Sequence, residues 1–177
     1  MTVQLERQIY SATKKQGIFG CFEVTIGWFG DERVDYMTYD TKGIWRCYEI
    51  KVSVSDFRSK AKKTFCGNFN YYVMTKELYE TVKHEIPSHI GVYVGRTSVK
   101  RAKRQDLTID EEVLKNSLIR SLSRESEKLY RSDNPSFVES MNRRLNNERK
   151  EKERYRSQYQ ELMREATEKF GRRWRSS

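Results

Sequence analysis

The 177-residue sequence is poor in the residues that build disulfide frameworks and zinc sites. It has three widely spaced cysteines without a Cys-x-x-Cys pair, and two isolated histidines. These numbers argue against a disulfide-stapled scaffold or a zinc finger. No apolar run approaches the ~20 residues of a membrane-spanning helix, and the first residues lack the apolar centre of a signal peptide. The sequence therefore predicts a cytoplasmic protein with no membrane partner.

Glycine is nearly absent from the second half of the chain: eight of the nine glycines lie at or before Gly95. Charge follows the same division, because residues 1–95 hold 13 Lys/Arg and 11 Asp/Glu, whereas residues 96–177 hold 22 and 14. The net charge of +10 thus lies mostly in the second half and is compatible with a polyanionic partner, which charge alone does not prove. We expect a globular core over residues 1–106 and a charged helical extension over residues 107–177.

The sequence pattern of the core predicts an α/β domain with the order helix, antiparallel strand meander, helix and strand. A helix is expected from Thr2 to Gly17, with Leu5 and Ile9 on its buried stripe. Alternating apolar residues and turn signals then predict strands over residues 21–29, 33–39, 44–54, 68–74 and 89–94, with helices over 55–63 and 75–85. Because short turns join the first three strands, they should form an antiparallel meander.

Proline is also rare, with only two residues in the chain, and this leaves the extension free to form long helices. Helices are predicted over residues 107–131 and, without interruption, from Pro135 to Phe170, where 36 residues would span roughly 54 Å. A heptad pattern through Leu145 is broken by Glu148 and Lys152. The pattern fits either a solvated charged helix or a coiled coil that joins copies of the chain into a homo-oligomer.

The segment from Trp45 to Val52 carries the strongest chemical signal. Alternation along a strand places Glu49 and Lys51 on one face, although an amphipathic strand with a wet side shows the same pattern. A hairpin would bring Asp35 beside Glu49. Two carboxylates with an ammonium group suit a hydrated Mg²⁺ or Mn²⁺ and phosphodiester hydrolysis. Glu6 on the first helix is a further candidate acid, or simply a solvated residue of the helix's first turn.

These residues stand in the order of a known superfamily. A helix with Glu6, a strand pair with Asp35, Glu49-Ile50-Lys51 and a following helix resemble the PD-(D/E)XK nucleases. More narrowly, the residues from Glu49 to Arg58, followed by Asn70-Tyr71-Tyr72-Val73-Met74, resemble the MmcB-like DNA repair proteins and their phage-encoded relatives. Val34 stands where the motif has its proline. The resemblance covers roughly residues 1–95.

The resemblance implies a restriction-endonuclease-like fold, dependence on Mg²⁺ or Mn²⁺, and a DNA substrate. It also implies that Asp35 and Glu49 are metal ligands, Lys51 is the catalytic lysine and Glu6 is a helix-borne acid. The superfamily includes members that bind nucleic acid without cutting it. A catalytically silent binding or regulatory module is therefore the alternative function.

Other polar residues have two interpretations each. Asp56 could cap the following helix or serve the site. Two groups of basic residues could contact phosphates, or could form a solvated helix face and a soluble edge strand. These groups are Lys60, Lys62 and Lys63, and Lys100, Arg101, Lys103 and Arg104.

Overall fold

The computed structural model describes residues 1–28, 30, 32–59 and 64–170. Its elements follow the predicted order as far as β5, with one further strand before the two C-terminal helices. They are α1 (Thr2–Thr13), β1 (Ile18–Thr25), β2 (Arg33–Asp40), β3 (Trp45–Ile50), α2 (Val54–Phe57), β4 (Phe69–Met74), α3 (Lys76–Val82), β5 (Gly91–Val94), β6 (Thr97–Lys100), α4 (Glu111–Ser132) and α5 (Pro135–Phe170).

One mixed sheet of six strands organises the α/β part, with its strands side by side in chain order. Strands β1, β2 and β3 form an antiparallel meander, as the sequence predicts. Strands β4 and β5 then run parallel to β3, because helices α2 and α3 provide the crossovers. Strand β6 turns back antiparallel on β5 and forms the far edge of the sheet.

The turn between β2 and β3 fixes the register on which the candidate site depends. The Asp40 carboxylate accepts hydrogen bonds from the backbone amides of Lys42 at 3.0 Å and Ile44 at 3.1 Å. Gly43 adopts a φ of 77°, a left-handed conformation that suits glycine. The resulting hairpin places Tyr36 opposite Tyr48, so the strand positions of Asp35 and Glu49 lie side by side.

Helices cover both faces of the sheet. Helix α1 contributes Leu5 and Ile9 to a buried cluster with Tyr48 and Ile50 of β3. The alternate β3 residue Cys47 belongs to a cluster on the other face, which includes residues of α4. A third cluster joins α2 and α3 to β4 and β5. Since neighbouring strand residues point to opposite faces, Glu49 lies on the α4 side and not on the α1 side.

The first compact unit comprises Met1–Glu125, so it extends beyond the predicted boundary at residue 106. The reason is the apolar stripe of α4, where Leu114 and Leu118 are buried in the cluster that contains Trp45 and Cys47. Arg120 adds a hydrogen bond from its guanidinium to the Thr25 carbonyl at 2.9 Å. The first part of α4 is therefore a component of the α/β core.

The second compact unit comprises Ser126–Ser177 and contains α5, whose bounds match the prediction. The apolar residues at its heptad positions are exposed, among them Met141, Leu145, Tyr155, Tyr159 and Leu162. Ion pairs between residues four apart, such as Arg143 with Glu139 at 2.6 Å, support the helix on its polar surface. Among the helices described, none is both long and apolar enough to span a membrane.

Candidate metal and phosphate site

Strands β2 and β3 bring Asp35 and Glu49 together at the end of the hairpin. The neighbouring strand β3 holds the Asp35 side chain in place, because Asp35 Oδ2 accepts a hydrogen bond of 2.8 Å from the Ile50 backbone amide. That bond ties the carboxylate to the strand that carries Glu49. The two acids are close enough for the Asp35 charge to raise the pKa of Glu49. The sequence-based pairing of these acids thus has a structural counterpart.

Glu49 is buried, with only 4% of its surface exposed. Burial, followed by repulsion from Asp35, raises the pKa of Glu49 to about 7, although the Lys51 ammonium and the Thr64 backbone amide act in the opposite direction. Its Oε1 atom has no hydrogen-bond partner among the described residues. A buried carboxylate oxygen without a partner is unusual in a folded protein and leaves one coordination position open for a ligand.

Lys51 follows directly after β3 and lies between two carboxylates. Its Nζ is 3.6 Å from Glu49 Oε2 and 3.7 Å from Asp56 Oδ1. The lysine side chain is only 9% exposed, whereas that of Asp56 is 38% exposed. Lys51 is therefore buried with Glu49, and Asp56 connects the pair to solvent.

The start of α2 positions Asp56. Ser53 is the N-cap, and its hydroxyl accepts a 3.1 Å hydrogen bond from the Asp56 backbone amide. The Asp56 carboxylate turns back and accepts a 3.2 Å hydrogen bond from the Val52 amide. Asp56 therefore stabilises the helix start, as the capping interpretation predicts, and also forms an ion pair with Lys51.

Two neighbours complete the surroundings of Glu49. Tyr72 lies beside Glu49 in the β3–β4 register, and burial together with the Glu49 charge raises the pKa of Tyr72 to about 12. Thr64 donates a hydrogen bond of 3.4 Å from its hydroxyl to Glu32, just before β2. No sequence pattern indicates Thr64 or Glu32, because their approach to each other depends on how the β1–β2 and α2–β4 connections fold.

Glu6 is the predicted site residue that the structure does not bring to the others. It is partly exposed on α1, next to Leu5, which packs on the face of β3 opposite Glu49. Within the part of the chain that is described, it forms no hydrogen bond or ion pair. No contact among the described residues therefore links Glu6 to the cluster formed by Asp35, Glu49 and Lys51.

The basic residues after β5 lie at the far edge of the sheet from Asp35. Three strand spacings of ~4.8 Å separate β6 from β3, a lateral distance of about 14 Å. Lys100 is engaged by protein, since its ammonium donates to the Ile86 and Pro87 carbonyls at 3.1 and 2.7 Å. Arg101, Lys103 and Arg104 are exposed. The other predicted phosphate contacts, Lys60, Lys62 and Lys63, lie outside the described residues.

Trp28, on the connection between β1 and β2, lies beside residues of α4 such as Arg120. The alternation from Phe22 to Trp28 suggests a buried strand residue, but β1 ends at Thr25, and Gly27 has a φ of 72°. Trp28 is 78% exposed, and the Arg120 guanidinium lies 5.1 Å from its ring centre. The connection between β1 and β2 thus presents an exposed aromatic ring with a cation beside it.

The candidate site offers few metal ligands, and these are carboxylate oxygens. In the described ranges, no group of three or more histidine, cysteine, aspartate or glutamate side chains is arranged to hold a metal ion. Mg²⁺, however, commonly keeps several waters and uses only one or two carboxylates. Asp35 and the unpartnered Oε1 of Glu49 provide such a set. The donor chemistry therefore fits a hydrated magnesium or manganese ion.

Comparison with known proteins supports the fold. No protein-family profile matches the chain, and neither does any curated protein sequence. Among solved structures, the chain is similar to the SPO1766 protein of unknown function from Silicibacter pomeroyi, with a TM-score of 0.60 and 19% sequence identity. The match covers 73% of this chain and 90% of that chain. At this identity the similarity establishes a shared α/β fold.

Proposed function

We propose that this protein is a Mg²⁺- or Mn²⁺-dependent DNA endonuclease of the PD-(D/E)XK class, related to the MmcB-like proteins of DNA repair and their phage relatives. The order of α1, the β1–β3 meander, α2 and a parallel β4 supports a restriction-endonuclease-like core. This is the order of helix, meander, helix and strand that the resemblance implies. The proposed reaction is hydrolysis of phosphodiester bonds.

The observation that carries the proposal is the convergence of Asp35, Glu49 and Lys51. A buried glutamate with a pKa near 7 and an unpartnered oxygen is costly to keep unless the protein uses it. Structural stability alone would be served better by an apolar residue at this position. The Lys51 ammonium, 3.6 Å from Glu49, adds the positive charge that phosphoryl chemistry requires.

The chain's own groups have defined roles in this proposal. Asp35 and Glu49 would hold the cation, which would supply Lewis-acid stabilisation and an activated water. The Ile50 amide keeps the Asp35 carboxylate in place through the 2.8 Å hydrogen bond. Lys51, held between Glu49 and Asp56, would stabilise negative charge that develops on the phosphate oxygens.

Charge on the rest of the chain fits a DNA substrate. The net charge is +10, and the exposed side chains of Arg101, Lys103 and Arg104 are free to neutralise backbone phosphates. Such contacts give affinity that does not depend on sequence and decreases with salt. Binding energy would thus come largely from residues outside the cluster around Glu49.

The test is a cleavage assay with Mg²⁺ or Mn²⁺ on linear, nicked, single-stranded and branched DNA. The parent chain should cut at least one of these substrates, and Lys51→Ala should lower the rate by orders of magnitude while DNA affinity changes little. Lys42→Ala removes an exposed lysine on the β2–β3 turn and is the matched control, which should cut at the parent rate. Full activity of Lys51→Ala would place the active site elsewhere.

The alternative is a nucleic-acid-binding or regulatory module that keeps the nuclease fold without catalysis. The exposed basic residues and Trp28 favour this alternative to the extent that they serve binding alone. DNA binding by the parent chain, with no cleavage of any of the four DNA forms in either metal, would select it.

A further inference from the structure

A pocket lies on the sheet face opposite Glu49, where α1 covers β3. Three tyrosines from neighbouring strands form its wall: Tyr48 and Tyr71 have ring centres 5.3 Å apart, and Tyr71 and Tyr93 are also 5.3 Å apart. Together with Lys15, Thr38 and Arg46 they line a cavity of about 160 Å³, which we call the tyrosine pocket. At ~30 Å³ per water, this volume holds about five waters, enough for a small polyatomic ion.

The lining of the tyrosine pocket is rich in hydrogen-bond donors and positive charge. Lys15 and Arg46 contribute an ammonium and a guanidinium, and none of the described lining residues carries a carboxylate. Asp40, which is close to the pocket, forms an ion pair with Arg46 at 2.7 Å and accepts hydrogen bonds from two backbone amides of its turn. Lys15 is exposed at the mouth of the pocket, and no carboxylate of the lining pairs with its ammonium.

Several polar groups of the tyrosine pocket lack protein partners. Thr38 is 1% exposed, and its hydroxyl lies close enough to Tyr48 to lower the pKa of that phenol, but its Oγ1 forms no hydrogen bond of normal geometry in the described chain. The hydroxyls of Tyr71 and Tyr93 likewise form no hydrogen bond with a described residue. Tyr71 and Tyr93 are only partly buried, so Thr38 Oγ1 is the buried atom of the lining that has capacity for a ligand, because buried polar groups in folded proteins are normally paired.

The tyrosines are suited to donate hydrogen bonds at neutral pH. Burial raises the pKa of Tyr48, Tyr71 and Tyr93, while the positive charge of Arg46 lowers it. The phenols therefore remain protonated around pH 7 and add no negative charge to the lining. Arg46 lowers the pKa of all three tyrosines, which is consistent with phenol groups that lie near its guanidinium.

We propose that the tyrosine pocket binds a phosphate monoester group, with Lys15 balancing part of its charge. Arg46, whose charge Asp40 already balances, and the hydroxyls of Tyr71, Tyr93 and Thr38 would donate hydrogen bonds to its oxygens. A phosphate group has several acceptor oxygens and carries no donor when fully ionised, which matches a lining of donors. Because Tyr48 and Glu49 point to opposite faces of β3, this site is separate from the candidate metal site. It does not depend on nuclease activity. The phosphate could belong to the end of a nucleic-acid strand or to a small phosphorylated compound.

The primary test uses inorganic phosphate without divalent metal, with sodium chloride at matched ionic strength as reference. Calorimetry should show saturable phosphate binding to the parent chain. The double variant Tyr71→Phe/Tyr93→Phe keeps both rings and should bind phosphate about tenfold or more weakly, since each lost hydrogen bond to a charged group weakens binding. Lys15→Gln should also bind more weakly. Tyr79→Phe and Lys42→Gln lie outside the pocket and should match the parent.

Absence of saturable binding in the parent, or equal affinity in the double variant and the parent, would overturn the proposal. Circular dichroism of each variant checks that the fold is retained. Competition between inorganic phosphate and a short 5′-phosphorylated oligonucleotide, its unphosphorylated form or adenosine 5′-monophosphate then identifies the source. Competition that requires the terminal phosphate assigns a strand end, and competition by the mononucleotide alone assigns a small compound. Loss of phosphate binding with metal-dependent cleavage intact would separate this site from the proposed nuclease site.

Discussion

Glu49 is subject to opposing interactions that make its protonation state sensitive to pH. Burial and Asp35 favour the neutral acid, whereas Lys51 and the Thr64 amide favour the anion. The balance lies on the side of the acid, with a pKa near 7 in place of 4.5. In the absence of metal, Glu49 therefore titrates close to physiological pH.

The pKa of Glu49 predicts how stability depends on pH in the metal-free protein. Between pH 4.5 and about 7 the folded chain retains a proton on Glu49 that the unfolded chain has released, so the free energy of unfolding falls as pH rises. The contribution of this one residue is on the order of 3 kcal/mol across the window. Glu49→Gln cannot ionise and should flatten that part of the pH profile.

Chemical denaturation at several pH values between 4.5 and 8, with a chelator present, measures this effect. Glu161→Gln changes the same side chain at an exposed position of α5 and should leave the slope unchanged. Parallel profiles for the parent and Glu49→Gln would show that Glu49 is not the titrating group.

At the scale of elements, the β2–β3 hairpin and the start of α2 determine the geometry of the cluster. The hairpin turn aligns Asp35 with Glu49, and the Ser53 cap fixes the helix that carries Asp56. Lys51 lies on the short connection between these two elements. Its ammonium therefore depends on the helix start as well as on the strand.

Removal of the α2 cap should affect stability and activity together. Ser53→Ala deletes the hydroxyl that accepts from the Asp56 amide and should cost about 1 kcal/mol of stability. Because Asp56 loses part of its support beside Lys51, cleavage should slow several-fold. Thr75→Ala removes the equivalent cap of α3, where the hydroxyl accepts from the Leu78 amide at 3.2 Å. This control should lose similar stability without slowing the reaction, and equal effects of both variants on rate would contradict the role assigned to α2.

The sequence predicted this arrangement where it depends on local pattern. Alternation gives the shared face of Glu49 and Lys51, and the turn residues give the hairpin that brings Asp35 to them. It could not predict the burial of Glu49 or the approach of Thr64, because these depend on tertiary packing. The strand predicted over residues 21–29 is too long at its end for a related reason, since β1 ends at Thr25, before the left-handed backbone of Gly27 and before the alternation ends.

At the scale of the whole molecule, the chain consists of one unit with a packed core and a second unit dominated by α5. The boundary at Glu125 differs from the predicted one at residue 106 because local composition does not reveal that Leu114 and Leu118 pack against the sheet. The heptad pattern of α5 leaves its apolar residues exposed within the single chain. We therefore retain self-association through this helix as a prediction.

A chain truncated after Ser132 should keep its cooperative unfolding, because the buried clusters lie within residues 1–125. The truncation removes 12 Lys/Arg and 8 Asp/Glu, a net charge of +4. DNA affinity should fall and its salt dependence should flatten if those residues contact phosphates. Sedimentation should show whether the full chain forms a larger species than the truncated one. Loss of cooperative unfolding on truncation would show that α5 is required by the core.

The central claim is that Asp35 and Glu49 form a divalent-cation site, and titration with Mn²⁺ followed by thermal unfolding tests it most directly. At a metal concentration ten times the Kd, mass action should stabilise the folded chain by about 1.4 kcal/mol, a rise in Tm of roughly 3–6 °C. The rise should saturate in the parent and be strongly reduced in Glu49→Gln, while Glu161→Gln should behave like the parent. A Tm of the parent that does not change through millimolar Mn²⁺, or an equal rise in Glu49→Gln, would contradict the claim.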